Sequence, residues 1–430
     1  MRKFFISLIQ SRAKAVLDEF KPTIIAITGS MGKTSTKEAI KIVLEETFDV
    51  RAAKKNYNNE IGVPLTILGA DVSPGKSIAG WLRLLWRSRS IKSYPKVLIL
   101  EFGADHPGDI TALCEFAPPK IGVVTGLSSV HAEFFDDLGA LAEEKAQIIR
   151  CLPKDGLAVL NADQERVKEM ASATSARSVL YGVSVSDLQA RNVRIETRLD
   201  EDFEPGERFS RTTAEVALSE GYSAKLELDD SLGYAPTMSA LAALAVGKHL
   251  GVPIDQMLRA LKEKFRPGPG RLRPLAGIKG SLIIDDSYNA APAAMQNGLE
   301  ILRLFSPERS EDRRIAVLGQ MAELGQYTEE EHRMVGLKVA ECADLFIAVG
   351  GSMRTAIEAA EEAGMDPDNT EWFGSSEEAE AYLDREVQQG DIVYVKGSQS
   401  SRMERVVKGL MAEPMRAEEL LVRQEAKWLK

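Results

Sequence analysis

The segment Gly29-Ser30-Met31-Gly32-Lys33-Thr34-Ser35 has residue types and spacing suited to holding phosphate. Glycines let backbone N–H groups approach phosphate oxygens, and a helix starting at the loop adds a field that favours anions. There the Lys33 amine reaches the β- and γ-phosphates and the Thr34 hydroxyl binds Mg²⁺. The loop is shorter than the general pattern, whose first glycine would fall at Ile27. Without its flanks it reads as a tight turn with a solvated lysine. Glu101 ends the apolar run Val97–Leu100. A carboxylate at the carboxyl end of a strand lies where open α/β sheets bind ligands, and Mg²⁺ takes one or two such groups. The plainer reading is a capping or salt-bridging acid. His131 follows a third strand-like run, Ile121–Thr125; alone, such a histidine is more often a hydrogen-bonded structural group.

These residues need a scaffold that brings strand ends together. Thr23–Thr28 is a β-branched apolar run before the glycine turn, and Thr34 to Glu46 has helical spacing, with Ala39, Ile40, Val43 and Leu44 on one side. Leu157–Leu160 adds another buried strand. Strand–helix alternation predicts a parallel sheet covered on both faces. Residues 181–230 break into short alternating pieces, Thr213–Leu218 and Ala224–Leu228 among them, which predict an antiparallel excursion. Met238 to Leu250 is an Ala-rich helix. Phe265 to Pro274 holds three prolines and two glycines, incompatible with a helix or a central strand. Beyond it a second series begins, with strands at Leu282–Ile284, Ile315–Leu318, Leu345–Val349 and Ile392–Val395.

The 430 residues suffice for two or three domains. A net charge of −10, 44% hydrophobic and 27% charged residues exclude disorder and a wholly basic nucleic-acid binder. The three cysteines, Cys114, Cys151 and Cys342, have no zinc-ribbon or disulfide-scaffold spacing, which suits a reducing compartment. No apolar run approaches the roughly 18 to 20 residues of a membrane span, and no cleavage site follows the apolar N-terminus. The expected location is the cytoplasm.

The short phosphate loop in TGSMGKTST resembles that of the Mur ligase family, which joins an amino acid or peptide to a carboxylate using ATP. NYNNEIGVPLTIL from Asn56, LEFGADHPGDI from Leu100, DDSYNAAP from Asp285, VLGQMAELGQYTEEEH from Val317 and VKGS from Val395 sharpen the resemblance toward its D-alanyl-D-alanine-adding members, from about Pro22 to about Leu410. The resemblance implies an α/β fold: a P-loop doubly wound ATPase domain followed by a smaller Rossmann-like ligase domain. The expected layout is an N-terminal helix (1–21, helical from Ser7 to Phe20), an ATP-binding domain (22–266), a Pro/Gly hinge (267–274) and a C-terminal domain (275–430). It implies an amide ligase of peptidoglycan precursor synthesis, adding D-Ala-D-Ala to a muramoyl-tripeptide through an acyl phosphate. The alternatives are the same chemistry on a different or lipid-linked acceptor, and a nucleotide-binding scaffold without ligase activity.

The resemblance also implies roles. Gly29 to Ser35, Arg271, Asp286 and Asn289 contact ATP. Thr34 and Glu101 hold one Mg²⁺, and His131 a second. Lys145, carbamylated by CO₂, supports that second ion; the adjacent Glu143 and Glu144 are expected to favour its charged form. Asn56, Asn58, Asn59 and Glu60 form an acceptor-side loop, and Glu323 and Lys396 touch substrate. Three departures stand out. The stretch before residue 29 is expected to be too short for the family's N-terminal UDP-binding domain, which leaves three alternatives: an acceptor bound differently, a partner that supplies that domain, or an acceptor that is not a UDP-sugar. Ala235, Pro236 and Ser239 replace a usual His and Asn cluster near the adenine, and Ala291 replaces an Asn. Residues 76–96 carry six basic residues and no acid. There Ile78, Leu82, Leu85 and Trp86 are expected on one helical face, flanked by Trp81 and opposed by Arg83 and Arg87. The segment reads equally as a helix lying on an anionic inner-membrane surface and as one docked on the ATPase domain.

Overall fold

The computed structural model describes all residues except 1, 54–56, 71–76, 128–137, 198–209, 219–220, 306–311, 426–427 and 429–430. Its first sheet contains β1 (Thr23–Thr28), β2 (Val50–Ala52), β3 (Val97–Glu101), β4 (Ile121–Val124), β5 (Leu157–Asn161), β6 (Arg177–Gly182), β7 (Leu188–Thr197), β8 (Ser210–Leu218) and β9 (Ser223–Asp229). Their order is β2-β3-β1-β4-β5-β6-β7-β8-β9. Pairing is parallel from β2 to β7 and antiparallel from β7 to β9. The strands β1, β3, β4 and β5 are buried along nearly their whole length because helices cover both faces, as a parallel sheet requires. One face packs the Lys33–Glu45 and Tyr234–His249 helices through Ala39, Ile40, Val43, Leu241 and Leu244; the other packs Arg2–Phe20, Ile78–Arg89 and Leu138–Arg150.

The second sheet contains β10 (Arg273–Ala276), β11 (Leu282–Asp286), β12 (Arg314–Gly319), β13 (Leu345–Val349), β14 (Thr370–Phe373) and β15 (Ile392–Lys396). Its order is β10-β11-β15-β12-β13-β14, parallel except for β10. Pro274, which lacks a ladder donor, therefore sits on an edge strand, where proline is tolerated.

Several boundaries differ from the sequence reading. The N-terminal helix begins at Arg2 rather than Ser7, and Glu101 and Asp286 are the last residues of their strands rather than loop residues. The 76–96 segment is helical over Ile78–Arg89, but its faces divide differently from the expectation. Trp81 and Leu85, each 8% exposed, and Ser88 turn inward beside the N-terminal helix, whereas Leu82 (56%) and Trp86 (70%) face outward with Arg83, Arg87 and Arg89. Residues spaced i, i+4 and i+7 from Trp81 share one row, so Leu85 belongs with Trp81 and not with Leu82. Arg12 closes this junction, donating to the Ser88 carbonyl at 3.2 and 2.6 Å.

Candidate active site

The strands β3, β1 and β4 lie side by side and parallel, so their carboxyl ends open into one crevice. The phosphate loop fills it between β1 and the Lys33–Glu45 helix. Gly29 and Gly32 both have positive φ (145° and 79°), which glycine adopts without strain. A Cβ on Gly29 would lie 2.0 Å from Thr125 Oγ1. The end of β4 holds the loop: Ser30 N donates to Gly126 O (2.7 Å), and Thr125 Oγ1 donates to Met31 O (2.5 Å). Lys33 folds back to donate to Gly29 O at 2.5 Å. Burial lowers the Lys33 pKa; Glu101 opposes that shift, while Arg271 adds to it.

Thr34 Oγ1 donates to Glu101 Oε2 at 3.3 Å, joining the loop to the end of β3. Glu101 is 1% exposed. Lys37 Nζ stands 3.1 Å from its Oε1, yet that oxygen has no aligned hydrogen-bond donor. Lys37 is fully buried and also donates to Ala53 O at 2.6 Å. A buried carboxylate with an unsatisfied oxygen, one hydroxyl away from the phosphate loop, is a donor set that fits Mg²⁺, a hard cation accepting one or two protein oxygens. The sequence reading missed Lys37. Its signal was a lysine one turn after Lys33, on the inward side of the same helix.

Lys145 is 2% exposed on the Leu138–Arg150 helix. Its amine is pushed down to about 7, first by burial and then by Lys33; Glu144 and Asp105 pull the other way and are outweighed. This overturns the expectation that neighbouring acids keep it charged. Glu143 is exposed and paired with Arg150. Glu144 accepts from Gly108 N (2.8 Å) and Ile110 N (2.7 Å), capping the Asp109–Phe116 helix. His131 and Asn56 lie outside the described residues.

The second sheet supplies Arg271 from the 267–274 stretch. Its guanidinium stacks 4.1 Å above the Tyr288 ring, and Nη2 donates to Thr34 Oγ1 at 3.4 Å. Asp286 ends β11. It receives Lys396 Nζ (2.6 Å), Tyr394 OH (3.2 Å) and Leu272 N (3.2 Å). Asn289 O also receives Lys396, at 2.8 Å. Lys396 is 3% exposed. These residues therefore lock the hinge to the second sheet.

Arg423, near the C-terminus, went unread in the sequence. It is nearly buried, donates to Ser287 O (3.1 Å) and the Tyr288 carbonyl, and pairs with Glu404 Oε2 at 3.0 Å. The chain Glu404–Arg423–Tyr288–Arg271 thus ends at Thr34, which makes Arg423 a positioning residue for Arg271. Arg423→Ala is expected to raise KM for ATP about tenfold with a smaller loss in kcat, and Arg423→Lys to restore little of it, because one ammonium cannot replace the guanidinium fork. Equal effects on KM and kcat, tracking a fall in thermal stability, would make the residue merely structural.

In the acceptor-side loop, Asn59 Oδ1 accepts from Gly62 N (2.9 Å) and Ile61 N (3.3 Å), capping the short helix Gly62–Ile67. Asn58 O accepts from Gly103 N at 2.8 Å, which sets the loop against the end of β3. Glu60 is exposed, and its carbonyl accepts from Gln10 Nε2. Glu323 is exposed after β12 in a left-handed conformation (φ 62°). His332 is buried: Nε2 accepts from Met321 N, so Nδ1–H donates to Thr328 O, and the ring pins the 321–332 turn. Ala235 and Ser239 lie in the first turns of the Tyr234–His249 helix, where Ser239 Oγ donates to Ala235 O.

Residues 27–218 match the family model for the Mur ligase middle domain, and residues 270–399 the one for the Mur ligase, glutamate ligase domain. The UDP-N-acetylmuramoyl-tripeptide–D-alanyl-D-alanine ligase of Mycobacterium tuberculosis (strain CDC 1551 / Oshkosh) is 33% identical over 407 residues, 91% of this chain and 73% of the relative. The enzyme of that name from Escherichia coli (strain K12) is 29% identical over 394 residues, 90% of this chain and 76% of the relative. Among solved structures, MurF ligase from Thermotoga maritima in complex with ADP superposes with a TM-score of 0.75 at 25% identity, covering 94% of this chain and 83% of that one.

Proposed function

The chain belongs to the Mur ligase family, and on that premise we propose that it is an ATP-dependent ligase adding D-Ala-D-Ala to a muramoyl-tripeptide in peptidoglycan precursor synthesis. The observation that carries this reading is the meeting of the phosphate loop, the Thr34–Glu101 pair and Arg271 at one set of strand ends. The M. tuberculosis, E. coli and T. maritima relatives support it, the last with ADP bound.

In the first step a substrate carboxylate oxygen attacks the γ-phosphorus of ATP, giving an acyl phosphate and ADP. The dipeptide amine then attacks the acyl carbon, loses a proton, and expels phosphate. Loop amides and Lys33 hold the β- and γ-phosphates, and Arg271 reaches the same oxygens from the other sheet. Thr34 and Glu101 would hold Mg²⁺, which neutralises charge as the phosphoryl group transfers. His131 and a carbamate on Lys145 would hold a second ion; a buried amine with its pKa near 7 has the neutral form that CO₂ requires. Residues 22–266 form the ATP-binding domain, 267–274 the hinge and 275–430 the domain that receives the dipeptide. Seating of Arg271 would exclude water that hydrolyses acyl phosphate. The reaction is cytoplasmic. Among the described residues no helix is long and apolar enough to cross a membrane.

The test is phosphate release from ATP and Mg²⁺ with UDP-muramoyl-tripeptide, with and without D-Ala-D-Ala, with the product weighed by mass spectrometry. Release that needs both substrates and yields the pentapeptide is expected. ATP binding without amine-dependent release would leave a scaffold, and activity confined to a lipid-linked acceptor would move the substrate.

A further inference from the structure

The Ile78–Arg89 helix has an inner row already used for packing and an outer row left largely in solvent. Trp81, Leu85 and Ser88 face the N-terminal helix, and Arg12 fixes that contact. At helical spacing the outward Leu82 and Trp86 form one row, with Arg83 and Arg87 on the next and Arg89 beside Trp86. Trp86 is 70% exposed, the largest apolar side chain left in water among the described residues. Arg83, Arg87 and Arg89 are exposed, and none forms an ion pair among the described residues. No acid lies between residues 76 and 96, in a chain of net charge −10.

We propose that this face docks the protein on an anionic bilayer surface. Tryptophan and leucine enter the headgroup boundary, while arginine stems lie along it with their charges on lipid phosphates. The same chemistry disfavours a symmetric contact between copies, which would set arginine against arginine. The consequence for the ligase is positional. Two residues apart on the N-terminal helix, Arg12 holds Ser88 and Gln10 holds Glu60 O at 3.1 Å. One helix therefore contacts both the basic helix and the acceptor-side loop, from different sides because residues two apart do not share a helix face, so docking fixes the orientation of that loop relative to the membrane. Only this consequence rests on the ligase reading.

Flotation of the full chain with vesicles of phosphatidylcholine, alone or mixed with phosphatidylglycerol, tests it without turnover. Binding is expected to the anionic vesicles only, and to weaken in high salt. Arg83→Glu/Arg87→Glu is expected to abolish it, and Leu82→Ala/Trp86→Ala to lower partitioning about tenfold. These side chains are exposed, so thermal unfolding and ligation of the water-soluble acceptor are expected to stay at wild-type levels. Absence of anionic binding, equal binding to both vesicles, or binding indifferent to both double variants would overturn the proposal. So would self-association without lipid that the same variants remove. Failure of the ligase reading shows separately, as loss of soluble-acceptor turnover with vesicle binding intact.

Discussion

Replacing Lys33 with methionine is expected to lower kcat for ligation by about 10²–10³-fold, the loss typical of removing one preorganised donor from a developing anion. The side chain is half-buried in the loop and already folded onto Gly29 O, so nucleotide phosphate finds it in place. Lys33→Arg is expected to recover little, since a planar fork does not fit where one ammonium donates to a backbone carbonyl. The methionine is expected to cost the fold little, although it forgoes the bond to Gly29 O. Burial depresses the Lys33 pKa, so charging it in the folded state costs stability that the apolar variant does not bear. Single-turnover kinetics and thermal unfolding of the same samples check both halves. A variant that is as active as the parent would remove Lys33 from the site.

Lys145 carries the second large effect, and its sign depends on pH. The folded pKa, about 7, lies below the ordinary 10.5. Between these values the unfolded chain binds more protons, so stability rises with pH. The cost of burying the ammonium is complete below pH 7 and disappears as pH climbs toward 10.5. Lys145→Met should therefore melt higher than the parent at pH 6, by a margin that narrows through pH 9. Activity is expected to move oppositely: the parent gains between pH 6 and 8 as the neutral amine becomes available to CO₂, and the methionine variant stays at least about 10²-fold lower throughout. Carbon-13 bicarbonate should give a carbamate resonance that Lys145→Met lacks. A pH-independent stability difference, or activity indifferent to dissolved CO₂, would count against a carbamate at this position.

Much of the fold was legible because buried parallel strands are nearly continuous apolar runs. Thr23–Thr28 and Leu345–Val349 coincide with β1 and β13, and Val97–Leu100 is one residue short of β3. The edge strands β2, β10 and β14 were missed: they are three or four residues long, too short for a periodic signal, and β2 and β14 are only partly buried. Residue types and spacing singled out Gly29 to Ser35 and Glu101 as candidates, whereas Lys145 was singled out only by the family resemblance.

What the sequence determined by itself was therefore the order of the elements and the chemistry carried at their ends. The tertiary structure alone decided which charges meet. Lys37 reaches Glu101 from the helix after the phosphate loop, Arg423 reaches Tyr288 from 135 residues away, and Asp286 pairs with Lys396. It likewise decided that burial, not the neighbouring Glu143 and Glu144, governs the Lys145 amine. Local spacing reports a residue's face and its near neighbours. Desolvation and long-range pairing depend on how sheets and helices pack, which no window of sequence contains.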